Sequence, residues 1–319
     1  MNRRDFLREL GRYGVAAGAA GAFGWPLRLF GQENSRRGSA GTGQNAGQEM
    51  YDLAAVMGGE PPAMFDAGIA ALGGMKSFVR PGQTVVIKPN ASWNVSPDRG
   101  ATTTPSLIRR IAEHCRDAGA AKVYILDHTI DNWKLAYATT GIEGAAKTGG
   151  GQIVPANSKG YYQEAAVPGA RSLKKVLVHE LILEADVVIN VPILKHHGST
   201  LITSAMKNLM GVIWDRSFYH STDLHRCIAE FGLLRTPTLN VVDAHTVMMS
   251  GGPRGSSYRS SLTVKKMQIL SPDIVAADAA AAKTWGIEPE KVRYIGQADE
   301  LRLGNMDLDR LRIARIRIG

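Results

Sequence analysis

Three histidines, His128, His197 and His245, each follow a short apolar run, and Asp127 and Asp243 stand close to two of them. Imidazole and carboxylate together suit a divalent transition metal, and either can move protons near neutral pH. Asp127, His128, His197, Asp243 and His245 are therefore the candidate metal ligands, with His197 and His245 the candidate catalytic groups. Their spacing is long and irregular, unlike the short HExxH signature, so only convergence in the fold would make them one site. The plainer alternative is a strand-end histidine that makes local hydrogen bonds. A second set comprises Lys88, Lys195 and Lys207, with Asn90 and Asn208 beside two of them. Ammonium and amide groups donate strongly to anions, so this set reads as a holder of a small anionic substrate or ligand, phosphate or carboxylate. Against it, Lys88 reads as a loop lysine and Lys207 as a solvated helix lysine.

Several chemistries find no carrier. No Walker loop and no GxGxxG after a strand is present, and Ser204 has no Gly-x-Ser-x-Gly setting. The two cysteines, Cys115 and Cys227, supply no iron–sulfur ligand set. Cys115 shares a helical face with Leu107, Ile108 and Ile111, as a buried small hydrophobe would, and a disulfide between the two cysteines stays open. The net charge is +9, and +7 once the first 22 residues, with four arginines against Asp5 and Glu9, are set aside. That basic balance favours anionic ligands or solubility. Aromatic residues are only 7% and do not interleave with the basic ones, so no nucleic-acid stacking platform is expected.

The elements that must position these groups are legible. Thr84–Ile87, Lys122–Leu126, Ala185–Ile189 and Leu239–Val242 are short, β-branched, mostly apolar runs, each ending in a polar cluster. Runs of this kind fit strands buried on both faces, as in a parallel sheet. Between them, Thr104-Pro105 opens a helix closed by Gly119, and Ser271-Pro272-Asp273 opens another closed by Gly286. Asp273 serves that helix's dipole. The alternation predicts an α/β fold with a parallel or mixed sheet flanked by helices and a site at the carboxyl ends of the strands.

The N-terminus reads as an address. Arg3-Arg4-Asp5-Phe6-Leu7 precedes a mild apolar stretch, Gly14 to Trp25, too short to span a bilayer stably. The segment resembles a twin-arginine signal, which implies the twin-arginine export machinery as partner and a periplasmic or otherwise exported location. Residues 1–22 are then the signal, 23–50 a flexible linker and 51–319 the α/β domain.

The folded part resembles a family known as domain of unknown function 362. The carriers are Val85-Val86-Ile87-Lys88-Pro89-Asn90, Thr103-Thr104-Pro105, and Gly119-Ala120 before a strand ending in Asp127. They continue through Asn190 to Gly198, Ala205-Met206-Lys207-Asn208-Leu209-Met210-Gly211, Asp243, Gly251-Gly252-Pro253, Ser271-Pro272-Asp273 and Ala277-Asp278. The family typically has Lys-Thr-His where this chain has Lys195-His196-His197. The resemblance assigns no reaction. It is looser to a nickel-dependent lactate racemase family, whose cofactor-attachment motif has no match here. Three functions stay open: an exported metal-dependent enzyme acting on a small anion, a carrier or assembly protein for a metal, cofactor or ligand, and a redox accessory protein.

Overall fold

The computed structural model describes residues 50–255 and 260–319, so residues 1–22, expected to be a twin-arginine signal, and nearly all of the expected linker lie outside the described residues. The strands are β1 (Leu53–Met57), β2 (Thr84–Pro89), β3 (Lys122–Ile125), β4 (Gln152–Ile153), β5 (Tyr162–Ala166), β6 (Lys175–His179), β7 (Val187–Val191), β8 (Ile193–His197), β9 (Leu201–Thr203), β10 (Leu239–Met248), β11 (Leu262–Ser271) and β12 (Ile313–Arg317). One ten-stranded sheet has the order β12-β1-β11-β10-β7-β2-β3-β4, with β8 joining β10 and β9 joining β8. Neighbours from β10 through β4 pair in parallel, whereas β11 pairs antiparallel with both β1 and β10. The sheet is mixed and the class α/β, as the alternation predicts.

Both faces of the sheet are covered, which explains the continuously apolar runs. In β1, Leu53 and Ala55 belong to one core while Ala54 and Val56 belong to the other. In β2, Val86 takes the first core and Val85 and Ile87 the second. Each large apolar side chain sealed from water contributes roughly 1.5–3 kcal/mol, so β1 and the body of β2 are apolar on both faces. Helices α1 (Pro61–Ala71) and α2 (Pro105–Asp117) cover the second core with Phe65, Ile69, Leu107 and Ile111. The first is covered by the short helix α3 (Ala205–Asn208), by α4 (Ile274–Trp285), and by the antiparallel pair β5–β6.

Helix ends follow the sequence signals. Asp273 accepts N–H bonds from Val275 and Ala276 at the start of α4, and Gly286, at φ 112°, closes it in the left-handed region. Cys115 lies in one core and Cys227 in the other, both as free thiols, so no disulfide joins them. Burial pushes the two thiols up to about 12 and about 11. Among the described residues no helix is long and apolar enough to cross a membrane.

The topology creates one crevice. Strand β2 has β3 on one side and β7 on the other, so the chain leaves the carboxyl ends of β2 and β7 in opposite directions. Ligands in open parallel sheets gather at such a switch point. Lys88, Asn90, Asp127 and Asn190 all sit at or just past the strand ends around it.

Candidate anion site

The Lys88 ammonium is at the bottom of this crevice, 1% exposed, with Asp127 Oδ1 at 2.8 Å. It also donates to the Pro89 carbonyl at 2.6 Å and to Asn208 Oδ1 at 3.0 Å. An ammonium has three N–H donors, so Lys88 is saturated by the protein. Burial pulls its pKa down, and the Asp127 charge pulls it back up. The other Asp127 oxygen takes the Ala91 N–H at 2.7 Å. The expectation that Lys88 holds an outside anion is therefore corrected, because Asp127 already occupies it. Asp127, spent on Lys88 and Ala91, is likewise a structural counter-ion.

Above this pair runs a chain of amides. Asn208 accepts from Lys88 and from Asn90 Nδ2, and donates to the Lys88 carbonyl and to Asn190 Oδ1. Asn190 in turn donates to Asn240 Oδ1, and Asn240 to the Ser271 carbonyl. Asn208 thus clamps Lys88 in place and has no hydrogen left for a ligand, which corrects its reading as a substrate-binding residue. Asn90 keeps one N–H and lines the opening. The turn that carries Lys207 and Asn208 is fixed from beneath by Asp278, which accepts the Ala205 and Met206 N–H groups. Burial lifts the Asp278 carboxyl to about 6.

Over the amides lies a cavity of about 60 Å³ lined by Asn90, Lys195, His197, Lys207 and Arg216. A site holds a water for each ~10–15 Å³ of such volume, so this one has room for roughly four to six non-hydrogen atoms. That is the size of a phosphate, a sulfate or a two- to three-carbon acid. No carboxylate is among its lining residues.

Each cation in it is poised differently. Lys195, 1% exposed, donates to the Ala101 carbonyl and to Asn90 Oδ1 at 3.1 Å. Those two bonds use both hydrogens of a neutral amine, so a third donor exists only when Lys195 is protonated. Lys207 makes no hydrogen bond or ion pair with the described residues and is half-buried. Burial, with the charges of neighbouring cations, lowers both lysines to about 7. Arg216 is anchored through Nε to the Met210 carbonyl at 3.0 Å, and its Nη2 is buried without a partner. His197 accepts the Ser199 N–H on Nδ1, which places its proton on Nε2. Burial and the nearby lysines press its pKa down to about 3, so it stays neutral and acts as a donor from Nε2.

The five-residue metal set is not assembled. Among the described residues no three His, Cys, Asp or Glu side chains gather to hold an ion. The reason lies in the length and pleat of β10, which continues through Met248 and does not end at Val242. Asp243 and His245 are consequently mid-strand, on the same face as Val241, and look toward α1 and α2. Asp243 accepts the Thr104 N–H at 2.9 Å, and His245 Nε2 is 3.6 Å from Glu60, beside a separate opening. His245 is therefore no partner of His197 in catalysis. His128 turns the other way, with Nδ1 on the Ile213 carbonyl at 2.9 Å and its ring stacked on Trp214 at 5.1 Å. His197 alone of the five lines the cationic cavity, and a bare divalent cation there would meet three basic side chains and no acid.

Of the expected substrate contacts, Asn90, Lys195 and Lys207 do meet. Arg216 is the addition: it follows Trp214-Asp215 in no recognisable motif, and nothing local marks it. Asn190 and Asn240 carry no expected site role from the sequence, although an asparagine inside a β-branched run is a legible oddity.

Comparison with known proteins follows the same stretch of chain. A family model described as Domain of unknown function (DUF362) matches residues 85–283, which include every residue of the cavity. A thylakoid-associated protein of Synechocystis sp. is 26% identical over 251 residues, 73% of this chain and 72% of that one. The lactate racemase apoprotein from Thermoanaerobacterium thermosaccharolyticum aligns with a TM-score of 0.44 and 13% identity, covering 78% of this chain. The aligned part is 56% of the racemase chain, and a likeness of that strength carries no functional argument.

Proposed function

The chain belongs to the domain of unknown function 362 family, and from that premise and the cavity we propose that it binds a small oxyanion or carboxylate at the switch point of its sheet. One observation carries the reading. Lys195, Lys207 and Arg216 line a cavity without any acidic side chain, and the Asp127 carboxylate below it is already matched by Lys88. Burying that much like charge is costly, and an anion is the simplest relief. The Arg216 Nη2 group, buried and unpartnered, is a donor waiting for an acceptor. Two lysines titrating near 7 beside a neutral imidazole donor favour turnover over passive carriage, because groups of that kind exchange protons at ambient pH.

The test is a calorimetric titration with sulfate, which matches the cavity in size and does not itself titrate near neutrality. A charge-assisted hydrogen bond is worth about 1.5–3 kcal/mol. Lys195→Met will therefore weaken sulfate binding roughly 10- to 150-fold. Equal affinity in the variant and the parent would remove the reading.

Export through the twin-arginine route belongs to the same proposal and is supported by Arg3-Arg4-Asp5-Phe6-Leu7. Cell fractionation checks it: the chain would be found outside the cytoplasm, and retained there when Arg3 and Arg4 are both lysine.

A further inference from the structure

Resting on the anion reading above, we propose that Lys207 is an amine nucleophile that condenses with the carbonyl carbon of a small oxo-acid whose carboxylate is held by Arg216 and Lys195. The placement argues for it. Lys195 and Lys88 are tied down by two and three protein acceptors, whereas Lys207 has none among the described residues. A lysine kept only to bind a permanent protein group would be paired. This one faces the cavity with its amine uncommitted, on a turn held rigid by Asp278 below and by the amide chain beside it.

The surroundings make the amine reactive. The charged or titratable groups near Lys207 are Lys88 from β2, Asp127 after β3, Lys195 and His197 from β8, Arg216, and His220 from the helix Ser217–Ser221. All except Asp127 are basic, and Asp127 is neutralised by Lys88. An ammonium among cations in a desolvated cleft loses its proton readily, which is how enzymes prepare lysine for carbonyl chemistry. Burial, with the Arg216 and Lys88 charges, lowers Lys207 to about 7, so a substantial share of it is neutral amine near that pH.

The step balances without any oxidant or reductant. The Nζ lone pair forms a bond to the carbonyl carbon, the C=O π pair moves to oxygen, and one proton of the attacking nitrogen passes to that oxygen to give a neutral carbinolamine. His197 Nε2–H donates a hydrogen bond to that oxygen while charge develops. The carbinolamine nitrogen then expels hydroxide, which leaves as water on taking a proton from the Lys195 ammonium. One amine, one carbonyl and the one proton given up by Lys195 yield one iminium and one water. A cavity of about 60 Å³ accommodates acids such as glyoxylate, which carries an aldehyde next to its carboxylate.

The experiment uses the protein, glyoxylate and sodium borohydride, which reduces an imine to a stable secondary amine, followed by peptide mass mapping. A carboxymethyl group is expected on Lys207 at pH 7, at least about tenfold faster than on surface lysines, whose neutral fraction is far smaller. Sulfate will suppress it, and Lys207→Arg, whose guanidinium cannot form the adduct, will lose it. Sulfate binding with label on Lys195, or spread evenly over surface lysines, overturns the nucleophile and leaves the anion site standing. Absence of sulfate binding overturns both.

Discussion

Lys88→Met will destabilise the protein by about 3–5 kcal/mol, because it strands the Asp127 carboxylate in a place sealed from solvent. The two side chains are 1% and 0% exposed, so water cannot replace the lost partner. Asn208 Oδ1 and the Pro89 carbonyl lose a donor at the same time. The Ala91 N–H still serves one Asp127 oxygen, which holds the cost toward the lower end of that range. Removing both charges is milder than removing one, since a buried pair gains little over a well-packed apolar pair. Lys88→Met with Asp127→Leu should therefore be more stable than Lys88→Met alone. Urea unfolding of the two single variants and the double variant gives the coupling. Strictly additive losses would mean that the two groups do not act as a pair.

Gly211→Ala will cost about 3 kcal/mol and weaken the anion site together. A Cβ at this glycine would overlap the Asp127 carboxylate and the Lys88 ammonium. The position needs no unusual backbone angle, so the demand is purely one of space. Forcing a methyl into a packed region costs about 1–3 kcal/mol, and here it also pries at the ion pair. Gly211 further offers its carbonyl to the His128 N–H and lines the cavity, so the displacement reaches the ligand. Gly144→Ala is the control: that glycine lies in the helix Ile142–Gly149 with open space around its would-be Cβ, and alanine there should stabilise slightly. If thermal unfolding shows both variants unchanged, the close packing at Gly211 is not as described.

Much of this was open to reading from the residues. The four apolar runs became β2, β3, β7 and β10, adjacent and parallel, because β-branched side chains buried on two faces leave an uninterrupted apolar signature. Asp273 and Gly286 end α4 as their types require. The antiparallel margin was harder. Leu262, Thr263 and Val264 in β11 are exposed, so that strand begins without an apolar pattern, and β8 hides behind Pro192 in a histidine-rich stretch. The site divided along the same line. Lys195, Lys207 and Asn90 could be grouped because strand ends and helix starts in a parallel sheet share a rim. The histidines could not, since their fate depends on where β10 stops and which way each ring turns. His128 follows an apolar run as His197 does, yet it is spent on Trp214 and the Ile213 carbonyl. The bond of Asn190 to Asn240 joins residues 50 apart in sequence, and no spacing rule finds it.

Two lysines pressed to about 7 by burial and by the cations around them give the anion site a signature that a merely basic surface lacks. Above pH 7 both lose their protons in the free protein, and an anion can be held fully only by restoring them. Sulfate binding measured by calorimetry at pH 8, in buffers of different ionisation enthalpy, should take up between about one and two protons per site, each lysine being roughly nine-tenths neutral there. Affinity should accordingly be flat below pH 7 and fall with rising pH above it. Binding with no proton uptake, unchanged between pH 6 and 9, would contradict the claim that Lys195 and Lys207 hold the ligand.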